Sequence, residues 1–208
     1  MVSNGELELV GAIIGDGHIH KKHPKYYLGI TGNTKTDYLY FAKLASLIEQ
    51  EWNKKASVFE SSGGLRIRIY SKALVEKLTT EFALPFNNGK CYSVSIPQKF
   101  VGNFGKAKHI LRGIADTDGS VFVSRKPGCP RYPAIEITTV SKALAVQIRD
   151  ILFRASFRVT KIRSHMSKLS TTPCYKVCLY GKKNLHKWIA EIGFSNPYKL
   201  GRAVQALE

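Results

Sequence analysis

Acid is scarce in this chain of 208 residues, where 15 Asp and Glu stand against 32 Lys and Arg for a formal net charge of +17. A field of that sign attracts polyanions and raises their encounter rate, which favours a nucleic-acid partner. The shortage is uneven: residues 1–100 hold 13 basic and 9 acidic side chains, residues 101–208 hold 19 and 6. Cysteine is also sparse. Cys91, Cys129, Cys174 and Cys178 make no disulfide framework at this length. Cys174, Cys178 and His186 are three spaced ligands, short of a zinc pattern. No stretch approaches the ~18 uninterrupted apolar residues of a membrane span, so no membrane partner is expected. The N-terminus lacks a basic segment followed by an apolar run and a small-residue cleavage site. The expectation is an intracellular protein without a targeting signal. Its 44% hydrophobic content suits one domain or two small ones, each with a real core.

What is present is present twice. Asp16 in GDGH returns as Asp118 in TDGS, Ile30 in YLGITGNTKT as Ile137 in AIEITTVSKA, Tyr70 in RIRIYSKALVEKL as Tyr180 in KVCLYGKKNLHKW, and Lys90 in FNNGK as Lys199 in FSNPYK. Four landmarks in one order, at offsets differing only by loop-sized amounts, make two copies of one unit. The copies divide the chain into residues 1–97 and 98–208, and the Pro and Gly residues of Ser93 to Lys106 suit a connection.

Each unit reads as helix, hairpin, helix, hairpin, helix. Leu7 to Gly15 suits a buried helix. Lys35 to Trp52 and Ser141 to Phe157 have helical periodicity. In the strands, Leu65, Ile67 and Ile69 share one face and Arg66, Arg68 and Tyr70 the other. Val177 and Leu179 point inward, leaving Lys176, Cys178 and Tyr180 outward, and Lys161, Arg163 and His165 share a face. His18, His20 and Lys22 alternate around Ile19, and Lys126 falls in the corresponding hairpin. The sheets therefore have a helix-packed face and a basic face on which acid is nearly absent, where a merely solvated surface mixes signs.

Gly11 and Gly15 are four apart, as are Gly113 and Thr117, so small residues form a stripe along which the two helix backbones approach. Gly17 and Gly119 are expected to close these helices in the left-handed conformation. Asp16 and Asp118 then fall side by side at two helix C-termini. That is electrostatically poor, because a helix end carries about half a negative charge and the carboxylates repel each other. Hard divalent cations suit such a set of carboxylates and backbone carbonyls, Mg2+ characteristically binding few carboxylates together with phosphate and water. Asp116 points elsewhere on its helix and reads as structural.

LVGAIIGDG (Leu9 to Gly17) and LRGIADTDG (Leu111 to Gly119) resemble the two motifs of the single-chain LAGLIDADG homing endonucleases, and the resemblance covers essentially the whole chain. It implies an α+β fold: a pseudo-twofold tandem repeat of αββαββα units, motif helices packed at the interface, and two antiparallel sheets forming a DNA-binding saddle. It also implies a monomer that cuts double-stranded DNA across the minor groove and leaves short 3′ overhangs. Asp16 and Asp118, with the carbonyls of Gly15 and Thr117, would hold Mg2+, with Mn2+ substituting and Ca2+ supporting binding without cleavage. Lys90 and Lys199 match the basic residue near the end of each unit. Asn33 matches the polar residue after the second strand, where the second copy has Val140 beside Thr139, a departure that implies unequal strand cutting. DNA contacts would come from His18, His20, Lys22, Arg66, Arg68, Tyr70, Lys126, Lys161, Arg163, His165, Lys176 and Tyr180. The alternatives are a maturase acting on its own intron RNA and a catalytically inactive DNA-binding protein of the same fold.

Overall fold

A computed structural model describes residues 2–166 and 171–208, apart from the side chains of Lys90, Cys129 and Pro130. Ser3 opens α1 (Asn4–Asp16) by accepting the N–H of Glu6 at 2.9 Å. The hairpin β1 (Gly17–Lys22) and β2 (Lys25–Gly32) follows, then α2 (Tyr38–Trp52), the hairpin β3 (Ser57–Ser61) and β4 (Gly64–Tyr70), and α3 (Lys72–Thr80). Two short helices, α4 (Lys90–Ser93) and α5 (Gln98–Val101), lead to α6 (Phe104–Asp118). The pattern then repeats with β5 (Gly119–Lys126), β6 (Cys129–Thr139), α7 (Lys142–Arg154), β7 (Arg163–His165), β8 (Cys174–Tyr180), α8 (Lys182–Glu191) and α9 (Pro197–Leu207).

Two antiparallel sheets share one topology, β1-β2-β4-β3 and β5-β6-β8-β7. Their registers repeat as well: Gly17 pairs with Ile30 and Gly119 with Ile137, then Ile30 pairs with Ile67 and Ile137 with Val177. In β4 the alternation holds residue by residue, with Leu65, Ile67 and Ile69 buried. This is the tandem α+β architecture expected of two αββαββα units.

The helices α1 and α6 lie against each other with backbones touching. A methyl group on Gly11 would strike the carbonyl oxygen of Ile110, and one on Gly113 would strike the carbonyl oxygen of Glu8. Only hydrogen fits at the crossing. The closing glycines differ from expectation: Gly17 (φ −82°) and Gly119 (φ −83°) are extended rather than left-handed. Their reason is space. A Cβ on Gly17 would stand 2.5 Å from the Cα of Ile13, and one on Gly119 would stand 2.9 Å from the Cα of Ala115, since each strand leaves its helix by folding straight back along it.

Three boundaries also shift. Helix α2 begins after Asp37, whose carboxylate is used elsewhere, and α7 ends at Arg154. Lys161 precedes β7 instead of lying in it. The segment joining the units is threaded onto α7: the N–H and C=O of Ile96 bond the Gln147 amide at 2.8 and 3.1 Å, and the Ser141 hydroxyl donates to the carbonyl of Val94 at 2.7 Å.

Candidate functional site

The paired helices end between the sheets, and a cleft opens on each side of them. The first, about 630 Å³, is lined by Asp16, Asn33, Asp37 and Thr117 among others. The second, about 250 Å³, is lined by Asp118, Gly15, Thr139 and Val140, with Cys91 and Cys174. Each cleft thus combines the carboxylate of one motif with the neighbouring backbone of the other helix. A Cβ placed on Gly15 would lie 3.3 Å from Oδ2 of Asp118. Asp16 is exposed and Asp118 half-buried.

Beneath them lies a denser polar network. Asp116 is buried, and its carboxylate accepts the backbone N–H groups of Ser195 (2.8 Å) and Asn196 (3.1 Å). Burial pushes its pKa up to about 7 against the pull of those two hydrogen bonds. The Asn196 amide donates to Asp37 of the first unit at 2.9 Å, and Asp37 accepts the N–H of Asn33 at 2.8 Å. Asn33 is exposed, and its side-chain oxygen closes a local turn by accepting the N–H of Lys35 at 2.8 Å.

Lys199 stands in the first turn of α9 and donates to the carbonyls of Thr117 (2.7 Å) and Ala115 (2.9 Å). Burial lowers its pKa, while Asp116, Asp37, Asp16 and Asp118 act to keep it charged. The cation demanded by the crowded helix ends is thus supplied in part by the protein, at the carbonyl the sequence pairs with an ion. Lys90 begins α4, and its side chain lies outside the described residues.

The donor set has a definite chemistry. Among the described residues no group of three or more His, Cys, Asp or Glu side chains is placed to hold a metal ion. One motif carboxylate per cleft, with backbone oxygen nearby and the Asp37 carboxylate of the first cleft engaged by Asn33 and Asn196, instead suits Mg2+, which completes its shell with water and phosphate. The residues fit a divalent ion that arrives with a phosphate-bearing ligand.

The outer sheet faces carry cations set among aromatic rings. On the first sheet Tyr27 stacks on His20 (5.0 Å between centroids), packs against Tyr70 (5.6 Å) and His18 (5.7 Å), and lies under the Arg68 guanidinium at 5.1 Å. Arg66 and Lys22 flank this group, Arg66 donating to the Ser61 carbonyl at 3.2 Å. On the second, Tyr132 stacks on Tyr180 (6.1 Å), the Lys126 ammonium lies 4.0 Å from the Tyr132 centroid, and the Arg163 guanidinium donates to the Tyr180 hydroxyl. His165 closes β7 opposite Cys174.

Sequence reasoning passed over Tyr27, Tyr132, Asp37 and Asn196. The first two are legible only once β2 and β6 are paired with their neighbours. The basic face also holds one acid that composition hides: Glu136 accepts from Lys176 at 2.8 Å and from the Cys178 thiol at 3.3 Å. Burial acts to raise its pKa, but these partners bring it below the ordinary value. Cys178 lies on the outer side, as its alternation requires, but is fully covered there by Glu136 and Arg163.

Residues 106–193 match the family described as LAGLIDADG-like domain. The replication factor C small subunit of Methanocaldococcus jannaschii is 25% identical over 206 residues, covering 99% of this chain but only 10% of that protein. Among solved structures, the homing endonuclease I-DmoI in complex with DNA and Mn superposes with a TM-score of 0.63 at 16% identity, covering 92% of this chain and 97% of that one. The homing endonuclease I-WcaI bound to its DNA recognition sequence gives 0.63 at 17%, with 99% and 86% covered. The N-terminal LAGLIDADG domain of WhiA gives 0.57 at 16%, with 94% and 87% covered. No helix among the described residues is long and apolar enough to cross a membrane.

Proposed function

The chain carries the LAGLIDADG fold in its tandem, single-chain form, and from that premise we propose that it is a site-specific endonuclease acting on double-stranded DNA, units 1–97 and 98–208 each supplying one motif carboxylate. One observation carries the reading: two related clefts flank the paired helices, and each holds one of those carboxylates beside a basic sheet. A LAGLIDADG domain also stands in WhiA, so it is the carboxylates, rather than the fold, that favour cleavage over a maturase or an inactive binder.

The sheets bind the duplex from one side as a monomer, with cations neutralising phosphates and the tyrosine–cation clusters meeting base edges or sugars. The helix ends then face the minor groove at the centre of the site, and cuts there leave short 3′ overhangs. Asp16 and Asp118 would hold divalent ions, Mg2+ in the working enzyme, with the Gly15 carbonyl assisting. When bound, such ions neutralise the scissile phosphate, acidify the attacking water and stabilise the leaving oxygen. I-DmoI has been solved with DNA and Mn and with DNA and Ca, which accords with a divalent requirement. Lys199 holds the carbonyl end of α6 and so sets the position of Asp118. Asn33 lines the first cleft and Val140 the second, so the two strands meet unequal surroundings.

The test is a selection from partly randomised duplexes with Ca2+, followed by Mg2+ and sequencing of the ends. The parent should yield a constant short 3′ overhang at the centre of the enriched site. Asp16→Asn and Asp118→Asn should retain binding and lose double-strand cleavage. Full cleavage by the doubly substituted protein would refute the assignment.

A further inference from the structure

Asp37 and Ser141 hold the same place in the two units: each directly precedes the helix that follows the second strand, α2 in one and α7 in the other. An aspartate there ordinarily accepts an N–H from the first turn of its own helix. Asp37 makes no such bond. Its carboxylate instead turns back to the N–H of Asn33 at 2.8 Å and outward to the side-chain amide of Asn196, in the tail of the other unit, at 2.9 Å. The segment it closes, Asn33 to Lys35, is a wall of the Asp16 cleft. Asn196 is fully buried, and gives its backbone N–H to the carboxylate and its amide to the carbonyl of Asp116. The wall is thereby tied to the end of α6.

Ser141 makes the corresponding connection with the opposite polarity. It is fully buried, and its hydroxyl donates to the carbonyl of Val94, in the tail of the first unit, at 2.7 Å. The same oxygen accepts the N–H of Leu144 at 3.2 Å, and the Ser141 N–H reaches the Thr139 hydroxyl at 3.1 Å. Val94, Thr139 and Val140 are walls of the Asp118 cleft. The residue types follow from the partners. A carboxylate only accepts, so Asp37 requires an amide opposite it. A hydroxyl donates and accepts, so Ser141 holds a carbonyl and still caps its helix.

We infer that Asp37 and Ser141 are positioning residues for the two cuts, each holding the wall of one cleft against the tail of the opposite unit. The inference rests on the nuclease reading above, with one strand served by each cleft. Both residues act through other groups, Asp37 through the Asn33 turn and Ser141 through Val94 and Thr139. Cutting requires the scissile phosphate and the attacking water to be held in line, and a misplacement of about 1 Å can slow such a step on the order of 100-fold. Each connection borders a single cleft, so its loss falls on a single strand. Affinity for the duplex is carried by the sheets and stays with them.

The experiment uses the full chain and the duplex enriched by the selection above, labelled on both strands. Single-turnover cutting is followed in Mg2+ and affinity is measured in Ca2+. Asp37→Ala should slow one strand on the order of 100-fold, with the other strand and the affinity as in the parent. Asp37→Asn keeps an acceptor for only one of its two partners and should slow the same strand by less. Ser141→Ala should slow the opposite strand. In every variant the spared strand reports that the protein is folded. Lys43→Met removes a different bond between the units, to the Ser195 hydroxyl at 3.0 Å, and should change neither rate, since Lys43 borders neither cleft. Equal slowing of both strands by Asp37→Ala, parental rates throughout, one and the same strand slowed by Asp37→Ala and Ser141→Ala, or a matching bias in Lys43→Met would each overturn the inference. A parent that cuts no duplex would bring down the nuclease reading and this inference with it, whereas a cutting parent with unbiased variants brings down the inference alone.

Discussion

The side-chain amide of Asn196 donates to Oδ1 of Asp37 at 2.9 Å, joining positions 159 residues apart and belonging to different units. The same asparagine is fully buried, gives its backbone N–H to Asp116 and caps α9 by accepting the N–H of Tyr198 at 3.0 Å. Asp37 in turn holds the N–H of Asn33. The Asn196 side-chain amide also donates to the Asp116 carbonyl at 3.4 Å, so the turn lining the first cleft and the last turn of α6 are fastened to one side chain. This contact belongs to neither repeat alone.

Asn196→Ala strips a partner from a part-buried carboxylate and removes a helix cap. A lost partner at a buried polar group costs about 2 kcal/mol, which for a chain of this size lowers Tm by roughly 5 °C. Thermal unfolding checks it, and Asn196→Asp should be worse, because it places a third acid beside Asp37 and Asp116. A Tm within a degree of the parent for both variants would remove Asn196 from its place as fastener.

The repeat, the strand alternation and the small-residue stripe were legible because each is written in local spacing: Gly11 and Gly15, Leu65 and Ile67, Asp16 and Asp118. Spacing does not encode partners from distant segments. Nothing near Asp37 announces Asn196, and nothing near Lys199 announces that its ammonium donates to the carbonyl of Thr117 at the end of α6. Gly17 and Gly119 show a subtler gap. Glycine at a helix end suggests left-handed backbone, but here it answers the crowding of a strand that reverses along its helix.

His109 is buried on α6, and burial, reinforced by Arg112 and Lys108, holds its pKa below the ordinary 6.5. The unfolded chain therefore takes up a proton first as pH falls. The His109 contribution should be at its plateau above about pH 6.5 and decline below it until the folded-state pKa is passed, opposing Asp116, whose pKa of about 7 makes its own contribution grow as pH falls. His109→Gln should remove this loss, so that in urea titrations run from pH 7.5 to 5 the variant gains stability relative to the parent as pH falls. An identical slope in the variant would assign the pH dependence to other groups.

Glu136 is the acid on the outer face of the second sheet, where it holds Lys176 at 2.8 Å. Its charge opposes an approaching phosphate and occupies a cation that would otherwise meet one. Glu136→Gln removes the charge with little change of shape, leaving Lys176 to engage the duplex. Binding at low salt should tighten several-fold, and the slope of log K against log salt should steepen by about 0.9, the increment of one further phosphate contact. The check is a salt titration of parent and variant on a single duplex. Tighter binding with an unchanged slope would mean that Glu136 acts through its field alone, and weaker binding would mean that the Glu136–Lys176 pair itself, held in place, is what the DNA recognises.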